Sequence, residues 1–177
     1  MQNNLDAEGG DLPLERRSGG IYRIGADARV TPLLNGQGIV NTLLWVDDDR
    51  ALLSADSLDG VIYRYPIQAD GALGERTLWA PQHERGVPDG SAMDAQGYVW
   101  NARWGGHCLI RFAPDGRVDR IVEVPLSHPT SCVFGGPDMT TLFVTSARPA
   151  SDALELDGCV ISVETGIEGQ VSHRFAG

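Results

Sequence analysis

The sequence has little of what usually declares a function. Its three cysteines, Cys108, Cys132 and Cys159, lie far apart. There is no C-x-x-C pair, no Cys/His spacing of a zinc site, and an odd count makes no disulfide framework. Buried reduced thiols are the expected state, which suits a cytoplasmic location. Basic residues are scarce, 14 Lys and Arg against 24 Asp and Glu, for a net charge of −10. Those present are scattered, whereas a phosphate-binding surface needs them clustered; no nucleic-acid partner is expected. No apolar run reaches the length of a membrane span, so no membrane partner is expected either. The N-terminus shows no signal-peptide pattern. No segment sustains a helical hydrophobic period.

What is present is a globular composition, 42 % hydrophobic over 177 residues, enough for one good core or two small ones. The acidic balance suits cations as well as solubility. Residues 1–18 are polar and read as a loop, or as the cut edge of an earlier unit; residues 19–177 read as repeated strands. The repeat is clearest from Pro88 to Gly106. Ser91–Met93 is a short strand that begins beside Asp89, Asp94-Ala95-Gln96-Gly97 is a tight turn, and Tyr98–Ala102 is a second strand rich in aromatic and β-branched residues. Gly105-Gly106 then leads into Cys108–Phe112. Pro-Asp-Gly is an ordinary turn sequence, and Pro114-Asp115-Gly116 repeats it between two strands, where a turn is sufficient explanation.

Gly-led strands recur as Gly20-Ile21-Tyr22-Arg23, Gly60-Val61-Ile62-Tyr63-Arg64, Gly106-His107-Cys108-Leu109-Ile110-Arg111 and Gly158-Cys159-Val160-Ile161-Ser162. A last strand is expected over residues 171–175. Four-stranded units spaced roughly 40 to 50 residues apart are the mark of a β-propeller. Six such blades need about 270 residues, so this chain reads as about three and a half blades, the C-terminal part of a ring.

Propellers bind ligands in the central channel, lined by the first strand of each blade. Aligning Val40-Asn41-Thr42-Leu43, Pro88-Asp89-Gly90-Ser91 and Pro129-Thr130-Ser131-Cys132 sets Asn41, Asp89 and Thr130 at one level. An amide oxygen, a carboxylate and a hydroxyl make a partial shell for a hard divalent cation. His83 and His128 lie in loops entering inner strands, and His107 and His173 fall in outer parts of blades. Asp47-Asp48-Asp49 lacks the alternating ligands of a calcium loop and reads as a solvated turn. Ser57 and Ser146 have no His/Asp partner at meaningful spacing, which disfavours a serine hydrolase. The tryptophans read as packing between blades, with Trp104 bordering the channel.

The motifs Pro88-Asp89-Gly90-x-x-x-Asp94-Ala95-x-Gly97-x-x-Trp100, Trp104-Gly105-Gly106 and Pro129-Thr130-Ser131-Cys132-x-Phe134-Gly135-Gly136-Pro137-Asp138-x-x-x-Leu142-x-Val144-Thr145-Ser146-Ala147 resemble the regucalcin/gluconolactonase family (senescence marker protein type). Gly20-x-Tyr22-Arg23 and the ending Phe175-Ala176-Gly177 fit as well. The resemblance implies an all-β, six-bladed propeller with one divalent metal in its channel, and hydrolysis of sugar lactones such as glucono-lactone. It implies a shell of an N-terminal Glu, an Asn opening an inner strand and the Asp of Pro-Asp-Gly. Asn41 and Asp89 match the last two, and Asp89 becomes the catalytic base as well as a metal ligand. Calcium or zinc is the implied ion, with manganese or magnesium next. Asn4 falls near a substrate-contact position, and Thr130 is a second substrate candidate.

Two departures stand out. Asn-Gly-Leu is Asn41-Thr42-Leu43 here, which adds a side chain where the family keeps backbone close. The N-terminal Glu has no counterpart, because Met1-Gln2-Asn3-Asn4 resembles an internal segment of the family; an N-terminally truncated member is expected. The alternatives are a non-catalytic calcium-binding propeller, or an inactive fragment lacking that ligand and self-associating through unpaired blade faces.

Overall fold

The structure is a computed structural model that describes residues 17–171 and 173. Among these residues the chain forms thirteen strands and no helix. The first sheet pairs β1 (Gly19–Ile24) with β2 (Val30–Gln37). The second is a four-stranded meander of β3 (Val40–Val46), β4 (Ala51–Asp56), β5 (Val61–Pro66) and β6 (Thr77–Ala80). The third repeats it with β7 (Val87–Met93), β8 (Val99–Trp104), β9 (Cys108–Phe112) and β10 (Val118–Glu123). The fourth holds β11 (His128–Gly135), β12 (Thr141–Ala147) and β13 (Val160–Glu164). Every pairing is antiparallel. β3 touches β7 and β7 touches β11, so the first strands of successive sheets stand side by side. This is the expected partial β-propeller, with two complete blades between two incomplete sheets. Of the strand expected over residues 171–175, Val171 and His173 stand outside any strand and the others lie outside the described residues.

The core lies in the layers between sheets. Leu53, Ile62, Val99, Ile110 and Phe112 fill the layer between the second and third sheets. Trp100, Leu109, Phe134, Leu142 and Val144 fill the next. Middle strands are covered on both faces, so all six residues of β4 and all five of β9 are buried. Such strands read as continuous small and apolar runs rather than as an alternation. Cys108 and Cys132 lie in these layers, and burial pushes the Cys132 thiol up to about 12. Cys159 departs from the expected burial: it sits in the turn before β13, exposed and unpaired. No helix of the described residues is long and apolar enough to cross a membrane.

One expectation changes in a way that builds the site. β7 starts at Val87 rather than Ser91, so Pro88-Asp89-Gly90 lies inside a strand. Proline is tolerated there because β7 is an edge of its sheet. Pro88 pairs with Arg103 and Ser91 with Asn101, which leaves Asp89-Gly90 opposite a single residue of β8, a β-bulge. β3 has the same irregularity between Asn41 and Leu43, and β11 between Pro129 and Ser131. The repeat therefore extends to a bulge at the same level of each inner strand. Pro114-Asp115-Gly116 is the expected turn, with Gly116 at φ 83° and its N–H donated to Ala113 O at 2.9 Å.

The far end of β7 is locked by Asp94. Its carboxylate accepts from Trp100 Nε1 at 2.9 Å and from Arg111 Nη2 at 2.7 Å, and its other oxygen accepts from the Gln96 and Tyr98 N–H groups, both at 3.0 Å. The Arg111 guanidinium lies 3.7 Å above the Tyr98 ring, a cation–π contact within a buried ion pair.

Candidate active site

The bulges of β3 and β7 aim Asn41 and Asp89 into one cavity of about 380 Å³, walled by Ile39, Ser57, Leu58, Val87 and Trp104. Asn41 Nδ2 donates to Ser57 Oγ at 2.9 Å, and Ser57 Oγ donates to Pro88 O at 2.6 Å. The amide nitrogen is thereby tied to the wall, and the amide oxygen is the Asn41 atom left for a ligand. Ser57 spends its only proton on a carbonyl. It is a bridge between blades, in keeping with the expectation that it is no nucleophile.

Burial pushes the Asp89 carboxyl up to about 6, against the opposing pull of a hydrogen bond from the Gly90 N–H. Among the described residues no cationic side chain contributes to that shift. A carboxylate and an amide oxygen facing one space are donors of the type that hard divalent cations take. The pair fits part of such a shell, since an ion like calcium takes six or more oxygens. The described residues supply no group of three His, Cys, Asp or Glu able to complete it.

The other expected positions fall elsewhere. Thr130 turns its hydroxyl to Thr145 Oγ1, 2.7 Å away, and does not line the cavity of Asn41 and Asp89. Asn4 lies outside the described residues. His83 folds onto its own loop, its Nδ1 accepting the Arg85 N–H at 3.0 Å. His173 is not on an outer strand: it meets Asp49 at 3.2 Å and the edge of Trp45 beyond the end of β3.

His128 has the fixed partner that sequence spacing did not show. Ser127 Oγ donates to Asp157 Oδ2 at 2.5 Å and lies 2.7 Å from His128 Nδ1. With the serine proton committed to the carboxylate, Nδ1 carries the hydrogen and donates to Oγ. The ring meets Trp104 edge-on, 4.6 Å between centroids, and so backs the aromatic wall of the cavity.

Thr42, the departure from Asn-Gly-Leu, keeps the backbone that glycine would take. Its φ is 49°, left-handed for a β-branched residue. Such a conformation costs about 1–3 kcal/mol. Its side chain is buried and its hydroxyl donates to Asp89 O at 2.5 Å. Asn101 and Arg103 were not singled out by sequence. Both are buried, and Arg103 donates to Asn101 Oδ1 at 3.1 Å, Arg85 O at 3.1 Å and Gly86 O at 2.5 Å. Burial pushes the Arg103 guanidinium down to about 10, which leaves it charged at neutral pH. The available signal was two polar residues, Asn101 and Arg103, on one face of a strand otherwise covered on both sides.

Fold and site together define a class: a partial β-propeller whose bulged inner strands present an amide oxygen and a carboxylate to one cavity. Residues 1–148 match the family described as SMP-30/Gluconolactonase/LRE-like region, and the chain belongs to that family. It is 33 % identical over 172 residues to a 6-deoxy-6-sulfogluconolactonase of Pseudomonas putida, covering 93 % of this chain and 59 % of that protein. It is 34 % identical over 173 residues to regucalcin of Xenopus laevis, covering 93 % and 58 %. The solved structure of a calcium-binding regucalcin from Agrobacterium tumefaciens superposes with a TM-score of 0.78 at 32 % identity, covering 88 % of this chain and 55 % of that one. The chain thus spans little more than half the length of these relatives.

Proposed function

We propose that this chain carries the Asn–Asp half of a metal-dependent lactone hydrolase acting on sugar lactones such as glucono-lactone. The observation that supports it most is the shared cavity of Asn41 and Asp89, in a family with relatives named for lactone hydrolysis. Asn41 Oδ1 and the Asp89 carboxylate would hold a divalent cation (calcium or zinc ahead of manganese or magnesium), which would supply Lewis-acid chemistry toward the lactone carbonyl.

The chain's own groups do the rest. Asp89, with acidity near 6, is mainly ionised at neutral pH and takes a proton from water as the water oxygen bonds to the carbonyl carbon. The ring C–O bond then breaks, and the proton on Asp89 passes to the ring oxygen, which yields the open hydroxy acid. Trp104, Ile39, Leu58 and Val87 offer an apolar wall to the C–H face of a sugar ring. Ser57 holds the Asn41 amide in place. Thr130 remains the proposed substrate contact on β11. A cytoplasmic setting accords with three free thiols.

The test is glucono-lactone hydrolysis by the 177-residue chain with and without added calcium or zinc, beside Asp89→Ala. The substitution is expected to lower the metal-dependent rate by about 10²- to 10⁴-fold. Equal rates in both proteins overturn the assignment.

One observation favours a second reading, a calcium-binding or inactive half-ring. The described residues offer only one carboxylate to the site. That reading predicts cation binding without turnover, or neither. It also predicts self-association, because the two-stranded first sheet leaves Tyr22, Ile24 and Val30 between 42 % and 59 % exposed. Sedimentation should then show a dimer; a monomer with a single cooperative melt would sink that part.

A further inference from the structure

The direction of the Asp89 side chain depends on the peptide that follows it. The Asp89–Gly90 peptide lies in the bulge, between the paired residues Pro88 and Ser91. Side chains from two strands hold its carbonyl instead. Thr42 Oγ1 donates to Asp89 O at 2.5 Å, and Asn101 Nδ2 donates to it at 3.1 Å. Ser91 Oγ closes the group, 2.8 Å from Thr42 Oγ1 and 2.9 Å from Asn101 Nδ2. Arg103 orients the amide: a guanidinium can only donate, so the atom it meets is Oδ1 and Nδ2 must face Asp89. A buried cation, an amide and a backbone carbonyl thus stand in line, and no buried side-chain polar atom of the described residues is left without a partner.

A trans peptide is planar, with C=O and N–H on opposite sides. Holding Asp89 O against Thr42 and Asn101 turns the Gly90 N–H the other way, where it opposes the upward pull of burial on the Asp89 carboxyl. The successive blades add a contrast. Gly90, at the position of Thr42 one blade on, carries no side chain, and Ser131 packs where its Cβ would be. Thr42 accepts left-handed backbone at the same level, where glycine would be relaxed; what the threonine adds is its hydroxyl.

We propose that Thr42, Asn101 and Arg103 are positioning residues that lock the Asp89–Gly90 peptide and, through it, the direction in which the Asp89 carboxyl enters the cavity shared with Asn41. This rests on Asp89 as the working carboxylate, so the test reads the lock and the carboxylate separately.

The lock is read by amide hydrogen exchange at Gly90 and Ser91 in the full chain without added metal. Thr42→Val removes the hydroxyl at nearly constant volume and should speed exchange at both amides about tenfold or more, while the amides of β4 and β9 keep their rates. Thr42→Ser should restore protection. Thr42→Gly, which the backbone accepts, should also speed exchange although it relieves strain; it serves if the valine variant does not fold. A merely structural role would tie any loss of protection to a general loss of stability. The carboxylate is read by Mn²⁺ affinity, expected to fall about 10- to 100-fold in Thr42→Val and to recover in Thr42→Ser. Unchanged exchange at Gly90 in both Thr42→Val and Thr42→Gly overturns the lock, whatever the metal titration gives. Faster exchange together with undiminished Mn²⁺ binding by Asp89→Ala upholds the lock and removes the role given to Asp89.

Discussion

Pro88-Asp89-Gly90 and Pro114-Asp115-Gly116 are one tripeptide in two settings. The second closes a hairpin at the surface: Gly116 supplies a positive φ, and Asp115 Oδ1 accepts the Arg117 N–H at 3.2 Å. The first is a bulge within β7, where glycine serves close approach instead. A Cβ on Gly90 would lie 2.3 Å from Ser131 Oγ and 2.9 Å from its Cα. In the turn the aspartate side chain satisfies its own backbone. In the bulge the backbone is satisfied by Thr42 and Asn101, and the carboxyl is left to face a cavity. The lesson is that the same tripeptide turns its carboxyl to a cavity when Thr42 of the neighbouring blade and Asn101 of its own blade hold its backbone carbonyl.

The contrast can be broken hardest from the far end of β7. Asp94→Ala deprives a buried Arg111 and the Trp100 indole of their shared acceptor and should cost about 3–5 kcal/mol in urea unfolding. A loss below about 1 kcal/mol would show that Asp119 and Gln96 suffice for Arg111.

The two glycines sharpen it next. Gly90→Ala should destabilise by about 1–3 kcal/mol through overpacking, and Ser131→Gly should recover part of that in the double variant. Gly116→Ala has no such remedy, since its Cβ would meet the backbone oxygen of Trp79 at 1.9 Å. Strict additivity of Gly90→Ala and Ser131→Gly would argue against the contact.

The aspartates separate with pH. Asp89 has its carboxyl raised from 3.8 to about 6 by burial. The folded chain therefore holds that proton more tightly than the unfolded one, and stability without metal falls as pH rises from about 4 to about 6. Asp89→Asn should match the parent near pH 3.5 and exceed it at pH 8 by about 1–2 kcal/mol, allowing for screening at a half-buried site. No gain at pH 8 would mean the carboxyl is not desolvated. The smallest effect belongs to Asp115→Ala, which removes one turn hydrogen bond and an exposed pairing with Arg117. A loss of about 0.5–1 kcal/mol with unchanged lactone hydrolysis is expected.

Much of the fold was legible because strands and turns announce themselves locally. β1, β5, β9 and β12 lie where their β-branched and aromatic residues put them, β4 where its small and apolar run does, and the Gly-led repeat set the blade order. Asn41 and Asp89 were legible as a pair through that repeat, since equivalent positions of inner strands converge. The start of β7 was not, because Pro-Asp-Gly has turn chemistry on its own and becomes strand only with β8 and β11 beside it. Thr42 read as an added side chain, yet its hydroxyl acts across a blade boundary. Ser127, His128 and Asp157 were illegible as a group, being 30 residues apart at their widest bond.

An all-β chain, its repeat and the pairing of Asn41 with Asp89 follow from local pattern, because side-chain alternation and turn chemistry act within a few residues. Which Pro-Asp-Gly aspartate faces a cavity was settled by packing between strands distant in sequence. That choice depends on where donors from β3 and β8 fall, on the closeness that Gly90 permits, and on the desolvation of a carboxyl that no local pattern records.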